Sequence, residues 1–248
     1  MSTLTDSLGV QSYCFRTIKG NAGVAEAVKR VGLDKVELCA AHVKFGEVEQ
    51  HAPAIETYRA AGVAIQSIGV EGMGDDEAEN RKRFEFAKAA GCRHISINFN
   101  PGTFDAAHPI VQKLAEEYDI RCGIHNHGGH HWLGNMQALG YVFAKAGDRI
   151  GLCLDTAWAL NARQDPVKMA EAFADRLFAV HLKDFVFHHP DGKHEDVVVG
   201  TGNLDLPGLL STLEKIGFAG ELISEYEGDV EDPVPSVARC IEAIRAAG

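Results

Sequence analysis

One rhythm runs the length of this chain and limits what it can fold into more than any single motif does. A segment rich in Ala, Glu and Lys ends in a glycine, and a short apolar run follows. The junctions read Arg30-Val31-Gly32 before Lys35-Val36-Glu37-Leu38, Ala60-Ala61-Gly62 before Val63-Ala64-Ile65, and Ala89-Ala90-Gly91 before His94-Ile95-Ser96-Ile97. Lys145-Ala146-Gly147 and Lys215-Ile216-Gly217 repeat it before Ile150-Gly151-Leu152-Cys153-Leu154 and Glu221-Leu222-Ile223. Glycine suits the position just past a helix because it takes left-handed backbone without a Cβ penalty, and a basic last turn suits the helix dipole.

Eight strands are expected, near 8–13, 35–39, 63–69, 94–98, 120–125, 150–155, 177–182 and 221–226. Helices are expected near 20–31, 47–61, 76–90, 108–118, 133–147, 166–175, 206–216 and 232–247. In 76–90, Phe84, Phe86 and Ala87 oppose Glu77, Arg81 and Lys82 at helical spacing, and Asp205 followed by Pro207 reads as a cap and first-turn proline. Strand–helix alternation implies a parallel sheet, and short, nearly continuous apolar strands imply burial on both faces. Eight units in 248 residues is the size of a (β/α)8 TIM barrel, an α/β fold read here as one domain over 1–248. A doubly wound open sheet is the other arrangement, but no GxGxxG or Walker glycine loop follows any strand.

Composition narrows the partners. Acidic residues outnumber basic ones 35 to 24, a net charge of −11, whereas nucleic acid and anionic membranes attract proteins through a positive field. No apolar run approaches the roughly 18 residues of a membrane span, and the polar N-terminus does not read as a signal peptide, so a cytoplasmic location is expected. The six cysteines, at 14, 39, 92, 122, 153 and 240, form no CxxC pair and read as small buried hydrophobes.

In such a barrel the active site lies at the C-terminal ends of the strands. The second strand brings Glu37 there, the fourth Asn98 and Asn100, the fifth His125-Asn126-His127, the sixth Asp155, the seventh His181 and Lys183-Asp184, and the last Glu225 with Glu227 beyond it. Residues alternate faces along a strand, so His125 and His127 point one way, as do His181 and Lys183. Asp155 closes an apolar run, where a bare carboxylate is costly unless paired or bound to a cation. Carboxylates mixed with imidazoles suit Mn²⁺, Fe²⁺, Co²⁺ or Zn²⁺ better than Ca²⁺.

The motifs Leu152-Cys153-Leu154-Asp155-Thr156-Ala157, Val180-His181-Leu182-Lys183-Asp184 and Ile223-Ser224-Glu225-Tyr226 resemble the xylose isomerase-like (β/α)8 superfamily, and Val199-Gly200-Thr201-Gly202-Asn203-Leu204-Asp205 is similar to its segment after the seventh strand. That superfamily holds sugar isomerases and epimerases, inosose dehydratases and endonuclease IV-type nucleases. The resemblance covers nearly the whole chain. It implies a divalent ion, Mn²⁺ first and Co²⁺, Fe²⁺, Zn²⁺ or Mg²⁺ as alternatives, held by His125, Asp155, His181 and Glu225. The ketose epimerases carry a glutamate where this chain has His125, and its His-Asn-His run looks more like the lyases and deglycosidases acting on 3-keto-glycosides. Trp158 stands where many relatives carry histidine and would shape an apolar wall.

The expected activity is that of a metal-dependent sugar isomerase or epimerase, which removes a proton next to a carbonyl of a sugar or keto-sugar through a metal-stabilised enediolate. Glu225 or His127 is the expected base, Glu37 a further catalytic residue of the site and Lys183 a group that polarises a substrate oxygen. A leaving group β to the carbonyl would make the same enzyme a β-eliminating lyase. A non-catalytic sugar-binding barrel is the remaining class, and a homo-oligomer stays open. Each residue also has an ordinary reading. Asp155 suits a helix cap, Glu37 a pairing with lysine, and His130, His131, His188 and His189 solvated loops. Asp184 reads as orienting His181 or capping a turn, and Gly200-Thr201-Gly202 as a lid hinge or anion loop.

Overall fold

The computed structural model describes residues 4–188 and 193–248. Eight parallel strands close into a barrel: β1 (Gly9–Gln11), β2 (Lys35–Leu38), β3 (Ala64–Met73), β4 (His94–Phe99), β5 (Arg121–His125), β6 (Ile150–Asp155), β7 (Leu177–Leu182) and β10 (Glu221–Ser224). The (β/α)8 architecture expected from the alternation is therefore the one observed. Around the barrel lie α1 (Asn21–Arg30), α2 (His51–Ala60), α3 (Glu77–Ala90), α4 (Phe104–Tyr118), α5 (Met136–Lys145), α7 (Pro166–Ala172), α8 (Leu206–Lys215) and α9 (Val234–Ala247). Most buried apolar side chains form one cluster between strands and helices, while Cys153, Ala179 and Ile223 form a small one of their own. All six cysteines are buried and free.

Local chemistry explains the element ends. Asp76 caps α3 by accepting the N–H groups of Ala78 and Glu79, and Asp205 caps α8 by accepting that of Gly208. Gly32, Gly62, Gly91 and Gly217 take positive φ after their helices, as their positions required. Gly147 does not. Ala146 is already extended there, and a Cβ on Gly147 would lie 2.4 Å from the Gln112 side chain, so this glycine serves close packing.

Several boundaries differ from expectation. β3 continues to Met73, and β10 stops at Ser224, leaving Glu225 just past the strand. α4 starts at Phe104 rather than 108, because the Phe104 ring is buried against Phe99 and Trp132, 5.4 and 5.5 Å away between ring centres. Two elements were not anticipated. A short helix, α6 (Thr156–Asn161), follows β6 directly, and an antiparallel hairpin of β8 (Asp184–Phe187) and β9 (His194–Val197) leaves the mouth of the barrel after β7. No helix among the described residues is long and apolar enough to cross a membrane.

Candidate active site

Strand register brings the expected ligands together. Asp155 and His181 are paired residues on the neighbouring strands β6 and β7, His125 pairs with Cys153 one strand further round, and the Glu225 backbone N–H donates to Leu182 O across the β10–β7 edge (3.1 Å). Four consecutive barrel strands thus deliver His125, Asp155, His181 and Glu225 to one point, with one ligand atom of each within 4.8 Å of the others and all four residues buried.

The contacts define the donor atoms. His125 Nε2 lies 3.3 Å from Asp155 Oδ2 and 3.2 Å from His181 Nδ1. Glu225 Oε2 lies 2.6 Å from His181 Nδ1 and 4.0 Å from His125 Nε2. Asp155 divides its carboxylate. Oδ1 accepts the Trp158 N–H at 2.7 Å and caps α6, whereas Oδ2 is buried with no hydrogen-bond donor. The cap and ligand readings of Asp155 are both compatible with one side chain. A buried, undonated carboxylate oxygen facing two ring nitrogens is what a cation would satisfy. An ion with bonds of about 2.1 Å gathers donor atoms roughly 3–3.5 Å apart, and the separations of His125 Nε2 from Asp155 Oδ2 and His181 Nδ1, 3.3 and 3.2 Å, match that. The two-oxygen, two-nitrogen set fits Mn²⁺, Fe²⁺, Co²⁺ or Zn²⁺.

Glu37 lies behind this cluster, fully buried. Its Oε1 meets His181 Nε2 at 2.9 Å and accepts from Gln11 Nε2 at 2.6 Å, and its Oε2 accepts from the hydroxyls of Ser67 (2.6 Å) and Ser96 (2.8 Å). Burial alone would raise its pKa, but the His181 imidazole, with help from His94 and then Ser67, brings it down to about 2. Glu37 thus stands on the Nε2 side of His181 while Nδ1 faces the cluster, the placement of a carboxylate that orients a metal-ligating histidine. The structure places Glu37 under a ligand rather than against the cavity.

Lys183 is also fully buried. It pairs with Glu227, lies 3.6 Å from Glu225 Oε1, and sits 5.5 Å from the ring centres of Trp158 and of Phe185. Burial disfavours its charge, yet Glu225, Asp155 and Glu227 hold its pKa above the ordinary lysine value. For Glu225, burial is outweighed by Lys183 and His181, which keep the carboxyl well below the usual range. His127 faces the cavity with Nδ1 3.2 Å from Asn98 Nδ2, and burial together with His125 lowers its pKa to about 3.

A cavity of about 390 Å³ opens over the cluster. Tyr13, Val70 and Trp158 line it on apolar surface and His127, Glu225 and Glu227 on polar surface, while no lysine or arginine is among its lining residues. Asp184 does not reach His181. Its carboxylate accepts the backbone N–H groups of Gly200, Gly202, Asn203 and Leu204, so the anion held by the glycine loop is the protein's own. His130 is exposed, His188 pairs with Glu195 at 2.9 Å, and His131 lies beside His127, 5.1 Å between ring centres. His189 lies outside the described residues. The sequence reading missed Gln11, Ser67 and Ser96, which hold Glu37. Their only signal was polarity inside otherwise apolar strands.

A family model described as xylose isomerase-like TIM barrel matches residues 25–247. The 3-oxo-isoapionate decarboxylase of Pectobacterium atrosepticum is 26% identical over 209 residues, 78% of this chain and 73% of that protein. The structure of D-allulose 3-epimerase from Methylomonas sp. superposes with a TM-score of 0.76 at 14% identity, covering 98% of both chains. That of 3-keto-D-glucoside 4-epimerase from E. coli gives 0.74 at 13% identity, covering 97% of this chain and 99% of the other. With a barrel of this topology and a match over nearly its whole length, the chain belongs to the xylose isomerase-like TIM barrel family.

Proposed function

We propose that this protein is a divalent-metal-dependent enzyme of carbohydrate chemistry that removes a proton next to a carbonyl of a sugar or keto-sugar. One observation carries the reading: four buried ligand groups converge at the barrel mouth, with Asp155 Oδ2 left without a donor, beneath a cavity that their own residues help to line. A bound ion, with Mn²⁺ preferred, would supply Lewis-acid polarisation of a substrate oxygen and lower the cost of charge developing there. Glu225 belongs to the cluster and lines the cavity, so it is the carboxylate placed to take the α-proton. Lys183 fixes Glu225 and Glu227 rather than touching substrate, and Glu37 acts through His181 as a positioning residue. The walls favour an unphosphorylated, uncharged substrate, because glutamates and apolar groups line the cavity without a basic side chain. The relatives named as decarboxylase and epimerases support sugar-type substrates.

A second reading is β-elimination, as by a lyase acting on 3-keto-glycosides. It is favoured by His125 in place of a second catalytic glutamate and by the position of Glu37 away from the cavity. Return of the proton gives isomerisation or epimerisation, whereas loss of a β-substituent gives elimination.

Elemental analysis of the purified protein and of Asp155→Ala/His181→Ala, followed by keto-sugar incubation in D₂O, tests the proposal. About one equivalent of metal in the wild type, lost in the double variant, with deuterium entering the α-position only in the metal-bearing protein, is the expected result. A wild type that neither contains nor takes up Mn²⁺ overturns it. Release of an aglycone with the exchange would select the lyase.

A further inference from the structure

We propose that Asn98 fixes the ring tautomer of His127, so that this histidine meets the substrate as an N–H donor and not as a base. The inference deepens the function proposed above, but the proton placement itself is a property of the protein alone. Asn98 is the penultimate residue of β4 and His127 lies two residues past β5, and the two side chains meet at 3.2 Å between Asn98 Nδ2 and His127 Nδ1. Which end of the amide faces the ring is decided on its other side. Asn98 Oδ1 accepts the backbone N–H of Phe99 at 2.9 Å. A backbone N–H can only donate, so the amide oxygen belongs there and the NH₂ group turns to the histidine.

An NH₂ group can only donate as well. His127 Nδ1 must therefore offer its lone pair, and in the neutral imidazole the single proton sits on Nε2. Turning the amide round would set two donors against each other at Phe99. Phe99 has little freedom to avoid that. Its carbonyl accepts the Trp132 indole N–H at 2.8 Å, and its ring is buried against Phe104. His127 is a lining residue of the cavity, and with Nδ1 engaged by Asn98 its Nε2 is the ring nitrogen left to meet a substrate. A fixed N–H aimed at a substrate oxygen stabilises negative charge as it develops during α-proton removal. Proton acceptance then falls to Glu225. Asn98 is a positioning residue, and His127 the group it positions.

The test is the tautomer, read at neutral pH from long-range ¹H–¹⁵N correlation spectra of the full chain carrying ¹⁵N-histidine, as purified and after Zn²⁺ addition. A His127→Gln sample identifies the resonances. The wild type is expected to show a protonated, pyrrole-type Nε2 and a pyridine-type Nδ1. In Asn98→Asp the new carboxylate oxygen accepts from Nδ1–H and the pattern reverses. Asn98→Ala, which removes the donor without adding charge, releases the constraint and mixes the two patterns. A wild type with Nδ1 protonated, or a ring unchanged by both variants, overturns the proposal. Where a keto-sugar exchanges its α-proton, Asn98→Asp lowers kcat about 10²-fold with a smaller change in KM, the pattern of a lost transition-state donor. Absence of exchange in a wild type with Nε2 protonated would remove the assigned reaction and leave the proton placement standing.

Discussion

Asp155 caps α6 with one carboxylate oxygen and turns the other toward His125, and two substitutions separate the cap from the proposed ligand role. Asparagine keeps an oxygen to accept the Trp158 N–H but replaces the oxygen facing His125, whereas alanine removes both. Asp155→Asn should therefore lose metal while retaining the α6 cap. Asp155→Ala should lose metal and a further ~1 kcal/mol, the usual worth of an N-cap, in urea unfolding of the metal-free proteins. Glu37 predicts a different pattern. It accepts from Gln11, Ser67 and Ser96, faces His181 Nε2, and is not among the residues that line the cavity. Glu37→Gln is expected to weaken metal binding by about 10–100-fold through a misaligned His181, as measured by competitive metal titration. Unchanged affinity with lost activity would instead make Glu37 an acid–base group. The residue types at these positions were legible in the sequence, because ionisable groups ended strands that were otherwise apolar. The division of labour between them was not. Whether a glutamate touches substrate or the back of a ligand depends on which nitrogen of His181 it meets, and that is set by neighbours 26 to 59 residues away from it in sequence.

At the scale of the element, the loop after the β8–β9 hairpin shows how a segment that reads as a hinge becomes a fixed structure. Asp184 gathers four backbone N–H groups between Gly200 and Leu204. A Cβ on Gly202 would lie 2.6 Å from its Oδ1. Asp184→Ala should cost about 2–3 kcal/mol in chemical denaturation, because the Leu204 amide is buried and the other three are partly so. A loss below ~0.5 kcal/mol would mean that water replaces the carboxylate. The hairpin itself escaped the sequence reading because strand signals depend on period and burial, and all four residues of β9 are exposed or half-buried. By contrast, α3 and α8 were legible through their caps, which are local chemistry. α4 was legible only in part, since its first turn is held by Phe104 packing against rings from β4 and the β5–α5 connection.

At the scale of the whole molecule, the metal would tie together β5, β6, β7 and β10, half of the closed barrel. Binding to the folded state alone would make it a global staple. At free metal of about 100 times Kd, chelation should remove roughly 2.7 kcal/mol of stability, with the thermal midpoint restored on adding metal back. A midpoint indifferent to chelator and to added Mn²⁺ or Zn²⁺ would argue against a folded-state site. The sequence by itself determined the barrel. Its cues are local and repeated: helix-stop glycines, capping carboxylates and short doubly buried strands, each acting within a few residues. It also determined the chemistry at the strand ends, since few residue types can terminate such strands with a ligand atom. Only the tertiary structure decided how those groups are used. Strand register set Asp155 beside His181, a backbone N–H at Phe99 set the direction of Asn98, and Asp184 took the loop that an external anion would have needed. These are contacts between groups far apart in the chain, made only once the barrel closes. The energy of a buried polar group depends on its partner, and the partner is chosen by closure.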